Sequence, residues 1–164
     1  MPETHTAYLA GGCFWGLEEL VRTLEGVVDT EAGYTGGTNE HPTYEYHPGH
    51  AEALKVIYDP ARLSYRQLLD FFFQIHDPTT LNRQGNDVGE SYRSAIFYQT
   101  EAEKQIAQEM IEIVDNSQRW NDPVVTSLEP FEHFWPAEEY HQDYLQKHPG
   151  GYTCHAIFFT SYLT

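Results

Sequence analysis

Cys13 stands behind two glycines and ahead of two large aromatics, in Gly11-Gly12-Cys13-Phe14-Trp15, a setting that suggests chemistry rather than packing. The apolar run Tyr8-Leu9-Ala10 precedes the glycines, and Leu17, Leu20, Val21 and Leu24 recur after them at helical spacing. This pattern predicts a strand, a glycine turn and a helix that begins at the thiol. Unpaired first-turn N–H groups and the positive end of the helix dipole favour a thiolate there, and with it nucleophilicity. Position alone also admits a small buried cysteine after an ordinary strand-to-helix turn. Phe14 and Trp15 shift the balance, because two rings beside a sulfur can build an apolar slot that suits a methyl group.

The only other thiol is Cys154. Two cysteines in a chain with no export leader read as catalytic or redox-active rather than as a structural crosslink. A second group with chemical meaning is Glu52, which falls on the apolar face of a predicted strand, Ala51 to Asp59, together with Leu54, Val56 and Tyr58. A carboxyl on such a face loses solvation, so its pKa rises toward the range in which it can hold and donate a proton. His133, His141 and His155 do not combine with the cysteines at zinc-type spacing, so no metal is expected.

The elements that must position these groups are legible in outline. Gly26 is expected to close the first helix, and Val27-Val28 to begin a strand toward Gly33-Tyr34-Thr35-Gly36-Gly37. Ser64 suits the N-cap of a helix carrying Leu68, Leu69, Phe72 and Phe73 that ends before Asp77-Pro78. Thr79 to Ser91 reads as loop and Ser94 to Tyr98 as strand; Thr100 with Glu103 forms a capping box for a helix bearing Ile106, Met110, Ile113 and Val114. Val124-Val125 is expected to be a strand, and Pro136 to start a short helix through about Gln146. Pro149-Gly150-Gly151 breaks the pattern ahead of Cys154. Strands and helices without strict alternation predict an α+β layer of helices on a mostly antiparallel or mixed sheet.

At 164 residues the chain fits one domain, residues 1–164, with a core of its own. Its formal charge of -16, from 25 acidic against 9 basic residues, repels phosphate backbones and anionic lipid surfaces, so neither nucleic acid nor membrane is an expected partner. No window approaches the ~18 apolar residues of a membrane span, and the N-terminus has no signal-like run, so a cytoplasmic location is expected. Monomer is the default state.

Gly12-Cys13-Phe14-Trp15-Gly16 resembles the signature of the A-type peptide methionine sulfoxide reductases, which act on the S epimer of the sulfoxide. The resemblance continues in order through Gly33-Tyr34-Thr35-Gly36-Gly37, Pro42-Thr43-Tyr44, Gly49-His50-Ala51-Glu52-Ala53, His76-Asp77-Pro78, Arg83-Gln84-Gly85-Asn86-Asp87 and Tyr92-Arg93-Ser94-Ala95-Ile96. It ends with His141-Gln142-Asp143-Tyr144-Leu145 and Gly151-Tyr152-Thr153-Cys154-His155, so it covers nearly the whole chain.

The resemblance implies a two-layer sandwich with a ferredoxin-like core and mixed sheet, wrapped by long coil. It assigns attack on the sulfoxide sulfur to Cys13 and protonation of the oxygen to Glu52. Tyr44 and Tyr92 become hydrogen-bond donors to that oxygen, and Asp87, in a turn-like stretch, joins the polar side of the site. Phe14 and Trp15 become the methyl pocket, and His141 supports the polar network. It further implies a sulfenic acid on Cys13, a Cys13–Cys154 disulfide and thioredoxin as the external reductant, with dithiothreitol as its substitute in vitro and no cofactor. Substrates would be free and protein-bound methionine sulfoxide.

In some family members the resolving cysteine directly follows the Gly-Tyr pair or is joined by a further relay cysteine; here Thr153 intervenes and there is no third cysteine. Read from the residues alone, a thiol peroxidase or a non-enzymatic thiol redox sensor would also use an activated cysteine and a resolver.

Overall fold

Residues 51–58 form an interior strand of the sheet, buried on both faces from Ala51 to Leu54 and alternating from Lys55 onward, with Leu54, Val56 and Tyr58 on one face. The computed structural model describes residues 3–153 and 155–163. Its strands are β1 (His5–Gly11), β2 (Val27–Thr35), β3 (Ala51–Tyr58), β4 (Arg83–Gln84), β5 (Asp87–Val88), β6 (Ser94–Tyr98), β7 (Ser127–Pro130) and β8 (Phe134–Pro136). Its helices are α1 (Phe14–Val21), α2 (Tyr65–Gln74), α3 (Glu101–Asn116) and α4 (Tyr144–Lys147).

Six strands form one sheet in the order β7-β6-β1-β3-β2-β8, antiparallel except where β7 runs parallel to β6. Within it β1-α1-β2-β3-α2-β6 make a βαββαβ unit of spatial order β6-β1-β3-β2, which is the expected ferredoxin-like core in a mixed sheet. Leu17 and Val21 of α1, Leu68, Leu69, Phe72 and Phe73 of α2, and Met110 and Val114 of α3 close over Leu9, Leu54, Val56 and Ile96. Each fully buried Leu or Phe contributes about 1.5–3 kcal/mol. The opposite face presents small side chains, Ala10, Ala51, Ala53 and Ala95, with Phe97, and packs against Tyr8, Phe131 and Phe134.

Caps fall where the sequence predicts them. Ser64 and Gln67 form a complete capping box at α2. At α3, Thr100 Oγ1 accepts from the Glu103 amide, but the Glu103 carboxylate reaches back to the Gln99 amide instead of closing the box on Thr100.

Four expectations are corrected. Helix α1 ends at Val21, and Gly26, at φ +101°, closes the turn that follows rather than the helix itself. The loop 79–91 contains the small β4–β5 hairpin and a 3₁₀ turn at Glu90–Tyr92. Val124 and Val125 are coil, and the strand begins at Ser127, where the chain runs in register with β6. Pro136 ends the edge strand β8, in place of starting a helix, and the segment after it divides into a 3₁₀ turn at Glu139–His141 and α4.

Long-range hydrogen bonds explain that division. The Gln142 amide pairs with Ala32 on the edge of β2 in both directions, accepting from its N–H and donating to its C=O, each at 2.8 Å. Asp143 then takes a left-handed conformation, φ +55°, and its N–H donates to the buried Glu18 at 2.8 Å.

Candidate active site

Strand β1 ends at Gly11, and the chain turns into α1 through Gly12 at φ +94°. A side chain there would be strained, and its Cβ would lie 2.6 Å from Cγ of Gln84. Gln84 is itself fixed by a reciprocal pair of bonds to the Asp77 backbone, at 2.8 and 2.9 Å. The turn delivers Cys13 to the N-cap of α1, where its sulfur-bearing side chain is 6% exposed.

Register places the carboxyl. Tyr34 of β2 pairs with Glu52 of β3, and Ala32 with Leu54, so Glu52 shares the helix-facing side of the sheet with Leu54 and Val56. It is 1% exposed, and its Oε1 accepts from the Phe14 amide at 3.1 Å, satisfying one of the orphan N–H groups of α1. Burial pushes this carboxyl up to about 8. Hydrogen bonds from Phe14 N–H and from the Cys13 side chain pull the other way, while the charge of Asp87 adds to the rise.

Two phenols face these groups. Tyr44 comes from the coil between β2 and β3, and Tyr92 from the end of the 3₁₀ turn before β6; their hydroxyls are hydrogen-bonded to one another. Burial raises the pKa of both, and the charges of Glu52 and Asp87 act in the same direction, so both keep their protons at neutral pH. Asp87, on β5, is thus within electrostatic reach of Glu52, Tyr44 and Tyr92.

The apolar wall is built from rings. Phe14 is fully buried against Tyr34, at 5.6 Å between centroids, while half-buried Trp15 stacks on Tyr144 at 3.8 Å. Tyr44 lies 6.5 Å from both Phe14 and Trp15. His141 is buried at the end of its 3₁₀ turn, and the Trp15 indole N–H donates to its Nδ1 at 2.9 Å. Desolvation lowers the His141 pKa, so the ring is neutral; accepting at Nδ1 leaves the proton on Nε2, which has no hydrogen-bond partner among the described residues. The sequence associates His141 with the polar network; its contacts place it with the aromatic wall, where it fixes Trp15.

Every described candidate therefore meets at one place: Cys13, Phe14, Trp15, Tyr44, Glu52, Asp87, Tyr92 and His141. The eight come from six segments of the chain. Cys154 lies outside the described residues.

Three supporting groups escaped the sequence reading. Glu138 accepts from the Tyr34 hydroxyl and from the Tyr44 amide, both at 2.9 Å. Desolvation opposes its charge, but these bonds hold its pKa below the ordinary value. Glu18, 1% exposed, accepts from Thr30 Oγ1 and Asp143 N–H, at 2.8 Å each, and so docks α4 and its Tyr144 against α1. Tyr144 in turn backs Trp15. The one signal for Glu18 was an acidic residue amid the apolar positions of α1.

A family model described as peptide methionine sulfoxide reductase matches residues 5–161. The peptide methionine sulfoxide reductase MsrA of Nocardia farcinica is 59% identical over 155 residues, covering 94% of this chain and 91% of its own. Among solved structures, reduced Mxr1 from Saccharomyces cerevisiae superposes with a TM-score of 0.86 at 37% identity, covering 97% of this chain and 93% of that one. The same yeast protein in complex with Trx2 aligns at a TM-score of 0.63 and 28% identity, over 96% of this chain and 91% of that one.

Proposed function

The chain belongs to the peptide methionine sulfoxide reductase family, and on that premise we propose that it reduces the S epimer of methionine sulfoxide, free and in proteins, to methionine. The observation that carries this reading is a single buried carboxyl, Glu52, hydrogen-bonded both to the Cys13 side chain and to the first amide of α1. An acid that holds its proton to about pH 8 stands beside a nucleophile at a helix N-terminus.

The substrate methyl group packs against Phe14 and Trp15, which turns the sulfoxide sulfur toward Cys13. The thiolate attacks that sulfur, Glu52 gives its proton to the oxygen, and the Tyr44 and Tyr92 hydroxyls hold the oxygen while charge shifts. Methionine leaves, and the oxygen remains on Cys13 as a sulfenic acid. The Cys154 thiol then attacks the Cys13 sulfur, water departs, and a Cys13–Cys154 disulfide forms. A thioredoxin dithiol reduces it by exchange, a role supported by the yeast relative's complex with Trx2. This cycle needs a reducing compartment, which fits the cytoplasm.

The test follows each diastereomer of a methionine sulfoxide peptide with dithiothreitol and with thioredoxin. The expected result is consumption of the S form alone, absent in Cys13→Ser, and in Cys154→Ser retained with dithiothreitol but lost with thioredoxin. Turnover by Cys13→Ser would overturn the scheme. A peroxidase would instead prefer hydrogen peroxide and have no use for the ring-lined wall.

A further inference from the structure

His155 is the residue next to the proposed resolving cysteine in sequence, and its side chain is bound at the nucleophile's own turn. Its Nε2 donates to the Gly11 carbonyl at 2.6 Å, two residues before Cys13. A carbonyl only accepts, so the ring is the Nε2–H tautomer. Burial keeps it neutral, holding its pKa down to about 4. The ring packs against α1 at Gly16: a Cβ at that position would sit 2.4 Å from His155 Nδ1 and 2.2 Å from Thr153 Oγ1. Thr153 Oγ1 in turn accepts from the His155 amide at 3.1 Å.

The chain after His155 is pinned at several further points. Phe158 N–H donates to the Gln74 carbonyl at the end of α2, at 2.8 Å. Asp70 of α2 accepts from Ser161 Oγ and from Tyr162 N–H, each at 2.7 Å. Arg119 donates to the carbonyls of Thr160 and Ser161. Before it, Tyr152 and Thr153 are exposed at the surface and follow Pro149-Gly150-Gly151. His155 is therefore the first fixed side chain on the C-terminal side of Cys154, and it is fixed to the loop that carries Cys13.

We infer that His155 is a positioning residue for the resolving step: by anchoring to the Gly11 carbonyl and the Gly16 notch, it holds the Cys154-bearing segment within reach of the Cys13 sulfenic acid. A disulfide needs Cα atoms roughly 4.4–6.8 Å apart. In sequence Cys154 immediately precedes His155, and Cys13 is the second residue after Gly11, so the anchor ties together the two chain segments that carry the thiols. The step served is Cys13–SOH plus Cys154–SH giving the disulfide and water. The inference rests on the reductase reading above, and it gives the segment with the extra residue after the Gly-Tyr pair a fixed point at His155.

The experiment is a single turnover of fully reduced enzyme with the S-sulfoxide peptide and no reductant, following methionine release, loss of thiols and capture of Cys13 sulfenic acid by dimedone. His155→Leu, which fills the space without donating, should release methionine at the wild-type rate but form the disulfide about tenfold to a hundredfold more slowly, with dimedone adduct accumulating. His155→Gln, whose amide nitrogen has similar reach and can donate to Gly11, should restore most of the disulfide rate. Wild-type disulfide formation in His155→Leu would overturn the inference, as would an equal slowing of methionine release and disulfide formation in both variants. Absence of methionine release from wild type would instead sink the reductase reading itself.

Discussion

Replacing Glu52 with Gln separates the acid's chemical role from its structural cost. The amide matches the carboxyl in shape and can still accept from Phe14 N–H, but it cannot deliver a proton. General acid catalysis contributes roughly 10²–10⁴-fold, so methionine release should fall by at least about a hundredfold. Stability should move the other way. In the folded protein Glu52 keeps its proton up to about pH 8, against an ordinary value of 4.5. Between those values the folded state holds a proton that the unfolded state has lost. Stability from this group is thus full below pH 4.5 and declines as pH rises toward 8.

At about 1.36 kcal/mol per pH unit the full difference approaches ~5 kcal/mol. Glu52 is 1% exposed, so solvent screening removes little of this. Glu52→Gln should therefore unfold at higher denaturant concentration than wild type at pH 8.5, with the gap closing toward pH 4.5. The assay is urea unfolding of both proteins across that range, with the rate of methionine release measured on the same samples. A constant gap, or release slowed less than tenfold, would refute the assignment of a protonated, buried Glu52 as the acid.

Three further substitutions probe the rest of the site. Trp15→Ala removes the wall on which Tyr144 stacks, and kcat/KM for methionine sulfoxide should fall by about 10–200-fold, the range for one methyl-sized contact, while an S-ethyl sulfoxide loses less; equal losses would remove the methyl-pocket role. Tyr44→Phe and Tyr92→Phe should each slow methionine release about tenfold, because the other hydroxyl remains, and the double variant by ~10²–10³-fold; a double variant no slower than the singles would exclude oxygen binding by this pair. Glu18→Ala leaves the Asp143 amide and Thr30 hydroxyl without their acceptor, which should cost about 2–4 kcal/mol in denaturant unfolding, with Glu18→Gln closer to wild type.

What was legible in the sequence is what local patterns encode. Periodicity marked β3 and α3, glycines marked the turn before Cys13, and Ser64 and Thr100 marked helix starts at which their side chains do cap. The residues after Pro136 misled because their conformation is set from a distance. Proline at the start of a helix is a sound local rule, yet here Gly33 pairs with Pro136 on the sheet edge, Gln142 completes the edge at Ala32, and Glu18 draws Asp143 into a left-handed turn. Likewise Val124 and Val125 are β-formers that the register of β7 against β6 leaves outside the sheet. For Glu138 there was no sequence signal, because its meaning lies in two partners far upstream, Tyr34 and Tyr44.

The site's charge balance explains why acid and nucleophile share one helix end. In the proposed reaction the negative charge starts on the Cys13 sulfur with Glu52 neutral, and after oxygen transfer the sulfenic acid is neutral and Glu52 carries the charge. The charge moves between two groups that are hydrogen-bonded to each other and both face the N-terminus of α1. The dipole that favours the thiolate then favours the new carboxylate, and the Phe14 N–H bond becomes charge-assisted at the moment the proton leaves. No net charge enters or leaves a buried site during the step, so desolvation, which by itself opposes every ion there, is nearly the same at its beginning and end. The ferredoxin-like sheet provides this arrangement directly: β1 ends where α1 must begin, and β3, its antiparallel neighbour, carries Glu52 to the same edge.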